Sequence, residues 1–151
     1  MLPAIKGTRL AEAPWHEFSF DTVLAYYDGP RMLLQRGRSG ESYLAWWNDE
    51  DDAAERWVCI PVGSDSLRAI LSGRTNLRQA MDCPENGQLL VVDLDLETDA
   101  VVQLVSTNST ALPPETLPLP EAALALSEST IYEIISGLPR NRGIFEKQQA
   151  D

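Results

Sequence analysis

The sequence predicts an α+β fold: a mostly antiparallel sheet, made of a four-strand meander plus a hairpin, packed by short helices. Three patterns lead to this prediction. Short runs rich in β-branched and aromatic residues follow one another from residue 22, separated by turn residues. Two segments with helical spacing of apolar residues come next. A second pair of strand-like runs then precedes a proline-rich stretch and a last helix-like segment.

The predicted meander has short links, which favour antiparallel pairing of neighbouring strands. Its strands are expected at residues 22–27, 31–36, 42–47 and 55–62. Asp28-Gly29 between the first two strands is a hairpin signal, and Pro30 limits pairing at the start of the second. The link over residues 48–54 is strongly acidic, so we expect a solvated loop there.

Ser64 or Asp65 is expected to cap the start of the first helix, because either side chain can accept hydrogen bonds from the free N–H groups of a first turn. Leucine and isoleucine residues recur at helical spacing after this start. The helix is expected to end at Gly73, because glycine suits the left-handed conformation that commonly follows a helix.

Capping residues also mark two further helices. Thr75 or Asn76 can cap a short second helix that runs through Met81. Thr130 and Glu133 fit a capping box at the start of a C-terminal helix.

The predicted hairpin has strands at residues 88–96 and 100–106. On its first strand the apolar residues at 90, 92, 94 and 96 share one face, while Asp93 and Asp95 share the other. This alternation predicts a strand that is buried on one side and faces water on the other.

The 151 residues are expected to form one domain. Residues 1–20 have little periodicity and are expected to be an irregular N-terminal arm. The arm is expected to dock through Trp15, Phe18 and Phe20. Residues 107–120 contain four prolines and predict a loop. Residues 121–126 fit a helix or a strand, and residues 140–151 are expected to be a mobile tail.

Composition narrows the function classes. The formal net charge is −11, which opposes direct binding to nucleic acid or to anionic membrane and favours basic partners. No run of apolar residues is long enough to span a bilayer, and the N-terminus lacks a secretory signal pattern. Cys59 and Cys83 are therefore expected to be reduced thiols, and the location to be cytoplasmic.

Several short motifs occur in a recognisable order. They are residues 27–30 (Tyr-Asp-Gly-Pro), 43–46 (Tyr-Leu-Ala-Trp), 60–62 (Ile-Pro-Val), 67–73 and 77–80 (Leu-Arg-Gln-Ala). This order resembles an uncharacterised family of small bacterial domains, a domain of unknown function, over about residues 20–105. The resemblance implies a bacterial or phage-related origin and an α+β fold. It implies no activity.

The acidic run supplies weak candidate metal ligands in Asp49, Asp51 and Asp52. Hard cations need several oxygen ligands at defined geometry. A calcium loop counted from Asp49 needs glycine at its sixth position and glutamate at its twelfth, where Ala54 and Ile60 stand. A solvated loop is the favoured interpretation, and no metal or cofactor is expected.

Catalytic residues are equally weakly indicated. Asp93 and Asp95 could form a carboxylate pair for acid–base chemistry, but alternation on a water-facing strand gives the same pattern. His16 is the only histidine, so a nucleophilic or zinc site would depend on it. No catalytic residue is assigned, and a protein that is not an enzyme is favoured.

Aromatic residues of the meander are the candidate partner-binding residues. Trp46 and Trp47 are adjacent on a strand and therefore point to opposite faces of the sheet. A core can cover one face, and a helix or a partner can cover the other. Together with Tyr43 and Trp57 they are candidates because exposed aromatic side chains dominate interface energetics.

The leading interpretation is a non-enzymatic, cytosolic protein-binding or regulatory module, of which an immunity protein or antitoxin-like inhibitor is one form. Its expected partner is another protein with a basic surface. One alternative is a metal-assisted hydrolase that uses the acidic carboxylates. The other is an acidic mimic of nucleic acid, which would need negative charge spread along one face rather than gathered in two clusters.

Overall fold

The computed structural model of the chain describes residues 2–26 and 28–137. These residues form one seven-stranded sheet in which every pairing is antiparallel. Its strands are β1 (Thr8–Arg9), β2 (Val23–Tyr26), β3 (Pro30–Arg36), β4 (Ser42–Glu50), β5 (Ala54–Val62), β6 (Leu89–Asp95) and β7 (Val101–Thr107). Their order in space is β1-β7-β6-β5-β4-β3-β2. The predicted α+β class is confirmed. The meander and the hairpin join through the pairing of β6 with β5, and β1 adds a seventh strand that was not predicted.

The acidic link between β4 and β5 is not the loop that the sequence predicts. β4 continues to Glu50, and β5 begins at Ala54, so that the turn is shortened to residues 51–53. Pairing holds the acidic residues in extended backbone: Asp49 lies opposite Arg56, with a register shift after Trp47. Hydrogen bonding between the strands thus overrides the low strand propensity of these residues.

Three short helices pack on one face of the sheet: α1 (Ser64–Ser72), α2 (Leu77–Asp82) and α3 (Glu128–Ser136). Gly73 ends α1 in the left-handed conformation, with φ of 87°, and its N–H donates to the carbonyl of Ile70, so this prediction is confirmed. The predicted capping residue is wrong. Gly63 is the N-cap and makes no side-chain hydrogen bond there, while Ser64 and Asp65 already belong to the first turn.

The other two helices are capped by side chains. Asn76 and Gln79 form a reciprocal capping box at α2. At α3 the hydroxyl of Ser127 accepts from the N–H of Thr130. The predicted box of Thr130 and Glu133 is therefore wrong, because α3 begins earlier and Thr130 is already its third residue.

Residues 108–126 connect β7 to α3 on the helix side of the sheet. They contain two single turns of 3-10 helix, and the segment 121–126 is neither helix nor strand. The side-chain amide of Asn48 donates to the carbonyl of Thr116 at 3.2 Å, which ties this connection to β4.

The N-terminal arm wraps around one edge of the sheet. Ile5 packs in the core on the helix side, β1 pairs with β7 at the edge, and Trp15 packs on the opposite face. Gly7 lies at the corner, where a Cβ atom would stand 2.4 Å from the carbonyl oxygen of Ser106. Glycine alone permits this close approach of the two backbones. The arm, expected to be irregular, thus contributes a short strand.

The sheet is consequently buried on both faces. On the face covered by the helices, which we call the helix face, buried sheet residues include Met32, Leu44, Trp46, Val58, Ile60 and Val91. On the other face, which we call the arm face, they include Leu33, Ala45, Trp57, Cys59, Val92 and Leu94, with Trp15 and Phe18 of the arm packed on them. Edge-to-face ring contacts such as that between Trp15 and Phe18, with centroids 5.5 Å apart, stabilise this second layer.

Two further observations complete the fold. No helix among residues 2–26 and 28–137 is long and apolar enough to cross a membrane. The predicted mobile tail at 140–151 lies outside the described residues.

Candidate functional site

The two acidic stretches of the sequence meet at one end of the sheet. The β4–β5 and β6–β7 turns are neighbours there, because β5 pairs with β6: Ala54 lies opposite Asp95, and the N–H of Leu96 donates to the carbonyl of Ala53 at 3.0 Å. We call this region the acidic end. Its carboxylates are those of Asp49, Glu50, Asp51, Asp52, Glu55, Asp95, Glu97 and Asp99.

Two of these carboxylates build the turns themselves. Asp51 accepts from the N–H groups of Ala53 and Ala54, and these hydrogen bonds lower the pKa of its carboxyl. Its second oxygen accepts from the N–H of Leu2 at 2.9 Å. Asp95 closes the β6–β7 turn in the same way, with its pKa lowered chiefly by the N–H of Thr98.

The three weak candidate metal ligands, Asp49, Asp51 and Asp52, lie in and beside the β4–β5 turn. Asp51 directs both carboxylate oxygens at backbone N–H groups, and one oxygen of Asp49 accepts from the N–H of Glu50 at 2.8 Å. Asp52 is exposed in the turn. Within the described part of the chain, no three histidine, cysteine, aspartate or glutamate residues are placed to hold a metal ion.

Glu55 is the carboxylate at the acidic end whose pKa is raised. Burial is the main cause, and the nearby negative charges of Asp99 and Glu50 add to it. The indole N–H of Trp57 and the guanidinium of Arg31 act in the opposite direction. Glu50 and Glu55 are direct cross-strand partners, so two like charges are held on the same face of the sheet.

We expect Glu55→Gln to raise the free energy of unfolding at neutral pH by about 0.5 kcal/mol, the scale of one cross-strand charge pair. A carboxyl whose pKa is raised by folding stabilises the native state fully below its ordinary value of 4.5. That contribution is lost as the pH rises through the higher folded pKa. The gain of the variant over the wild type should therefore be present at neutral pH and disappear in acid, as measured by thermal unfolding.

Glu97→Gln is the matched control, because it removes an exposed carboxylate from the neighbouring turn. A gain for Glu55→Gln that is equal at all pH values, or no larger than that of the control, would contradict the burial of Glu55 and its repulsion by neighbouring carboxylates as the cause.

Trp47 lies beside this cluster on the arm face. It is half-buried, pairs with Trp57 across β4 and β5, and carries the guanidinium of Arg31 over its ring, with the carbon of the guanidinium 4.4 Å from the ring centroid. Arg31 also donates to the carbonyl of Asp28 at 3.1 Å. Part of the Trp47 surface thus borders the carboxylates of the acidic end.

The four predicted partner-binding residues separate into two groups. Trp46 is 6% exposed in the helix-face core, and Trp57 is 1% exposed in the arm-face core, so burial removes both from an accessible surface. Trp47 and Tyr43 are half-buried on the arm face. Burial raises the pKa of Tyr43, and its ring contacts Trp15 at 5.6 Å between centroids.

Asp93 and Asp95 do not form the pair of catalytic carboxylates considered above. The prediction that their side of β6 faces water is also wrong. Asp93 is buried on the helix face and forms a two-pronged ion pair with Arg56, at 2.7 Å to Nε and 2.9 Å to Nη2. A third hydrogen bond joins Arg56 Nη1 to the carbonyl of Pro3 at 2.7 Å. Asp93 thus belongs to a structural ion pair, and the carboxylate of Asp95 accepts hydrogen bonds within the β6–β7 turn.

A groove of about 610 Å³ lies between the arm and the β6–β7 turn. Residues 13, 15–21 and 38 line one side, and residues 98–101 line the other. His16 lies in its wall and is exposed, and Asp21 and Asp99 contribute carboxylates. We call this the arm groove.

A second hollow, of about 690 Å³, lies between the end of β5, α1, α2 and the turn at residues 83–87. It includes the exposed thiol of Cys83. The carboxylate of Glu85 there accepts from the N–H of Gly63 at 2.6 Å, and that of Asp82 accepts from Ser109. These two carboxylates are thus engaged in holding loops. Cys59 is buried, which raises the pKa of its thiol and keeps it protonated.

Arg31, Glu55 and Asp99 are far apart in the sequence, and no local pattern marks them as a group. The signal in the sequence was that two acidic runs lie at the turns of two hairpins. These runs form a single surface only because β5 pairs with β6.

The model of a family described as "Family of unknown function (DUF6575)" matches residues 20–142. The match extends beyond the resemblance in residues 20–105 and includes the proline-rich connection and α3. No curated protein and no solved structure matches the chain.

Proposed function

The chain belongs to DUF6575, a family of unknown function, and we propose that it is a non-enzymatic binding module whose acidic end receives a basic surface of another protein. The observation that carries this proposal is the like-charged pair of Glu50 and Glu55 beside Asp99. Like charges directly opposite on a sheet are destabilising. Departures from local stability of this kind are concentrated at functional sites.

A basic partner would turn this repulsion into attraction. A lysine or arginine placed near Glu55 would favour its ionised form, while the half-buried setting would strengthen the interaction relative to bulk water. The formal net charge of −11 would add long-range attraction and speed association. Trp47 borders the acidic end and would supply aromatic contact area, whereas Tyr43 lies on the same arm face toward the other end of β4, opposite Pro61.

The biological setting follows from the same interpretation. A bacterial, cytoplasmic inhibitor of the immunity or antitoxin kind would use a compact acidic surface against a basic partner. A mimic of nucleic acid gains support from one observation: the two acidic turns form one continuous edge rather than two separate clusters. No arrangement of the described residues favours a metal-assisted hydrolase.

Affinity capture from the native host tests the proposal. The acidic-end variant carries Glu50→Gln, Glu55→Gln and Asp99→Asn, and asparagine is chosen because Asp99 has a left-handed φ of 59° that asparagine tolerates. The control variant carries Glu121→Gln, Glu128→Gln and Glu133→Gln, three exposed carboxylates in α3 and the connection before it. Both variants lose three negative charges.

We expect a basic protein to be captured by the wild type and the control and to be lost with the acidic-end variant. Isothermal titration with the purified partner should then give a dissociation constant at least tenfold weaker for the acidic-end variant. Equal affinity of the two variants would contradict the proposal. Competition by DNA for the same partner would favour the mimic.

A further inference from the structure

Building on the proposed function, we propose that the arm groove receives an extended segment of the basic partner, with a lysine or arginine stem on Phe20 and Val101 and its cationic head at Asp99. At the groove, the arm leaves part of the arm face of the sheet uncovered. The arm ends its coverage near Asp21, and the β6–β7 turn stands on the other side.

The walls of the groove are apolar where a long side chain would pass. On one wall the side chain of Val101 is 40% exposed. Phe20 is half-buried and contacts Trp57, with ring centroids 5.9 Å apart. Lysine and arginine cover such surfaces with their methylene stems and keep the charge at the polar end.

An open strand edge lies beside these walls. β1 pairs only with Val105 and Ser106 of β7, and the N–H of Leu10 reaches the carbonyl of Leu104. Within the described part of the chain, no strand pairs with the outer edge of residues 101–103. An extended segment can add main-chain hydrogen bonds at such an edge. This is the reason for inferring an extended occupant rather than a helix.

The charged side chains that line the groove favour a positively charged occupant. Asp21 and Asp99 line it, and Asp99 lies near enough to Glu55 to affect its ionisation. At the opposite end, Arg38 is engaged by the carboxylate of Glu12 at 3.2 Å. The charge that lines the groove near the acidic end is therefore negative, and it would attract a cationic side chain. A second copy of this acidic chain would bring further negative charge to the same place.

The backbone holds Asp99 in position. Its φ of 59° is left-handed, and its N–H donates to the carbonyl of Asp95 at 2.8 Å. Non-glycine residues in this region are uncommon, although aspartate and asparagine tolerate it. Asp99→Asn therefore removes the charge and keeps the turn. Glu97→Gln removes a charge from the same turn at a residue that does not line the groove.

The test titrates the protein with the peptide acetyl-Ala-Arg-Ala-Arg-Ala-amide and with its citrulline analogue, which lacks the positive charge, and follows amide shifts by NMR. We expect shifts at residues 18–21 and 98–103 for the arginine peptide, and a dissociation constant at least tenfold weaker for the citrulline peptide. Asp99→Asn and Val101→Ser should each weaken binding at least threefold, while Glu97→Gln should change it less than twofold. Thermal melts check that each variant is folded.

No binding by the wild type at millimolar peptide, or equal losses for Asp99→Asn and Glu97→Gln, would overturn the groove as the site. The groove would also be overturned as the site if sedimentation showed that the peptide makes the protein dimerise and the NMR amide shifts were confined to β1 and β7. If these peptide results fail while the acidic-end variant still loses the native partner, the proposed function stands without the groove. If the acidic-end variant keeps that partner, the proposed function itself fails.

Discussion

Asp93→Ala is expected to lower the free energy of unfolding by about 3–5 kcal/mol, because it leaves the charge of Arg56 buried without its partner. Both side chains are almost fully buried, at 2% exposure for Arg56 and 7% for Asp93. They are joined by two parallel hydrogen bonds of 2.7 and 2.9 Å. Among the residues that the structure describes, only the carbonyl of Pro3 then remains as a hydrogen-bond acceptor for the guanidinium. Urea unfolding followed by circular dichroism measures the loss.

The double variant Arg56→Met with Asp93→Leu is the control for this experiment. Replacing both members of a buried ion pair with apolar residues is often neutral or stabilising, whereas breaking the pair is not. We therefore expect the double variant to be much closer to the wild type than the single variant. A loss below about 1 kcal/mol for Asp93→Ala would show that the guanidinium finds water or another acceptor.

Trp46→Ala is expected to lower the free energy of unfolding by about 3–5 kcal/mol, the range for removing a large buried aromatic side chain. Trp46 lies in the helix-face core with Met32 and Val58. Trp47→Ala should have a smaller effect, about 1 kcal/mol, because this side chain is half-buried and its stacking on Arg31 contributes a modest amount. Thermal and urea unfolding of the two variants give the comparison.

The two adjacent substitutions act as controls for each other, since they remove the same side chain from opposite faces of β4. Trp47→Ala should remain folded and weaken capture of the basic partner, while Trp46→Ala should act through stability. Losses of equal size would mean that the arm covers Trp47 as fully as the helices cover Trp46. Unchanged partner binding by folded Trp47→Ala would remove Trp47 from the proposed surface.

The sequence predicted most strands because turn residues and alternation act locally. The Asp28-Gly29 turn and the Gly73 helix end depend on backbone conformations that few residues adopt, so their positions could be read directly. The errors occurred where pairing with a neighbour overrode local preference. Asp49 and Glu50 read as loop residues but lie in β4, since β5 supplies their partners.

The candidate site was predictable only in part. Two acidic runs were visible, and each was explained by solvent exposure when taken alone. Their union at one end requires the register that sets Ala54 opposite Asp95. The same register places Arg56 opposite Asp93. Asp93 is therefore buried, although the alternation of polar and apolar residues predicted that it faces water.

By itself, the sequence determined the α+β class, the excess of negative charge and the opposite orientation of Trp46 and Trp47, because composition and the two-residue strand period are local properties. Only the tertiary structure decided which acids become neighbours and which tryptophan stays accessible. It also decided that the N-terminal arm covers the second face of the sheet. These outcomes depend on contacts between residues far apart in the chain, such as Trp15 with Tyr43 and Asp99 with Glu55, and the free energy of such contacts is fixed by packing rather than by local preference.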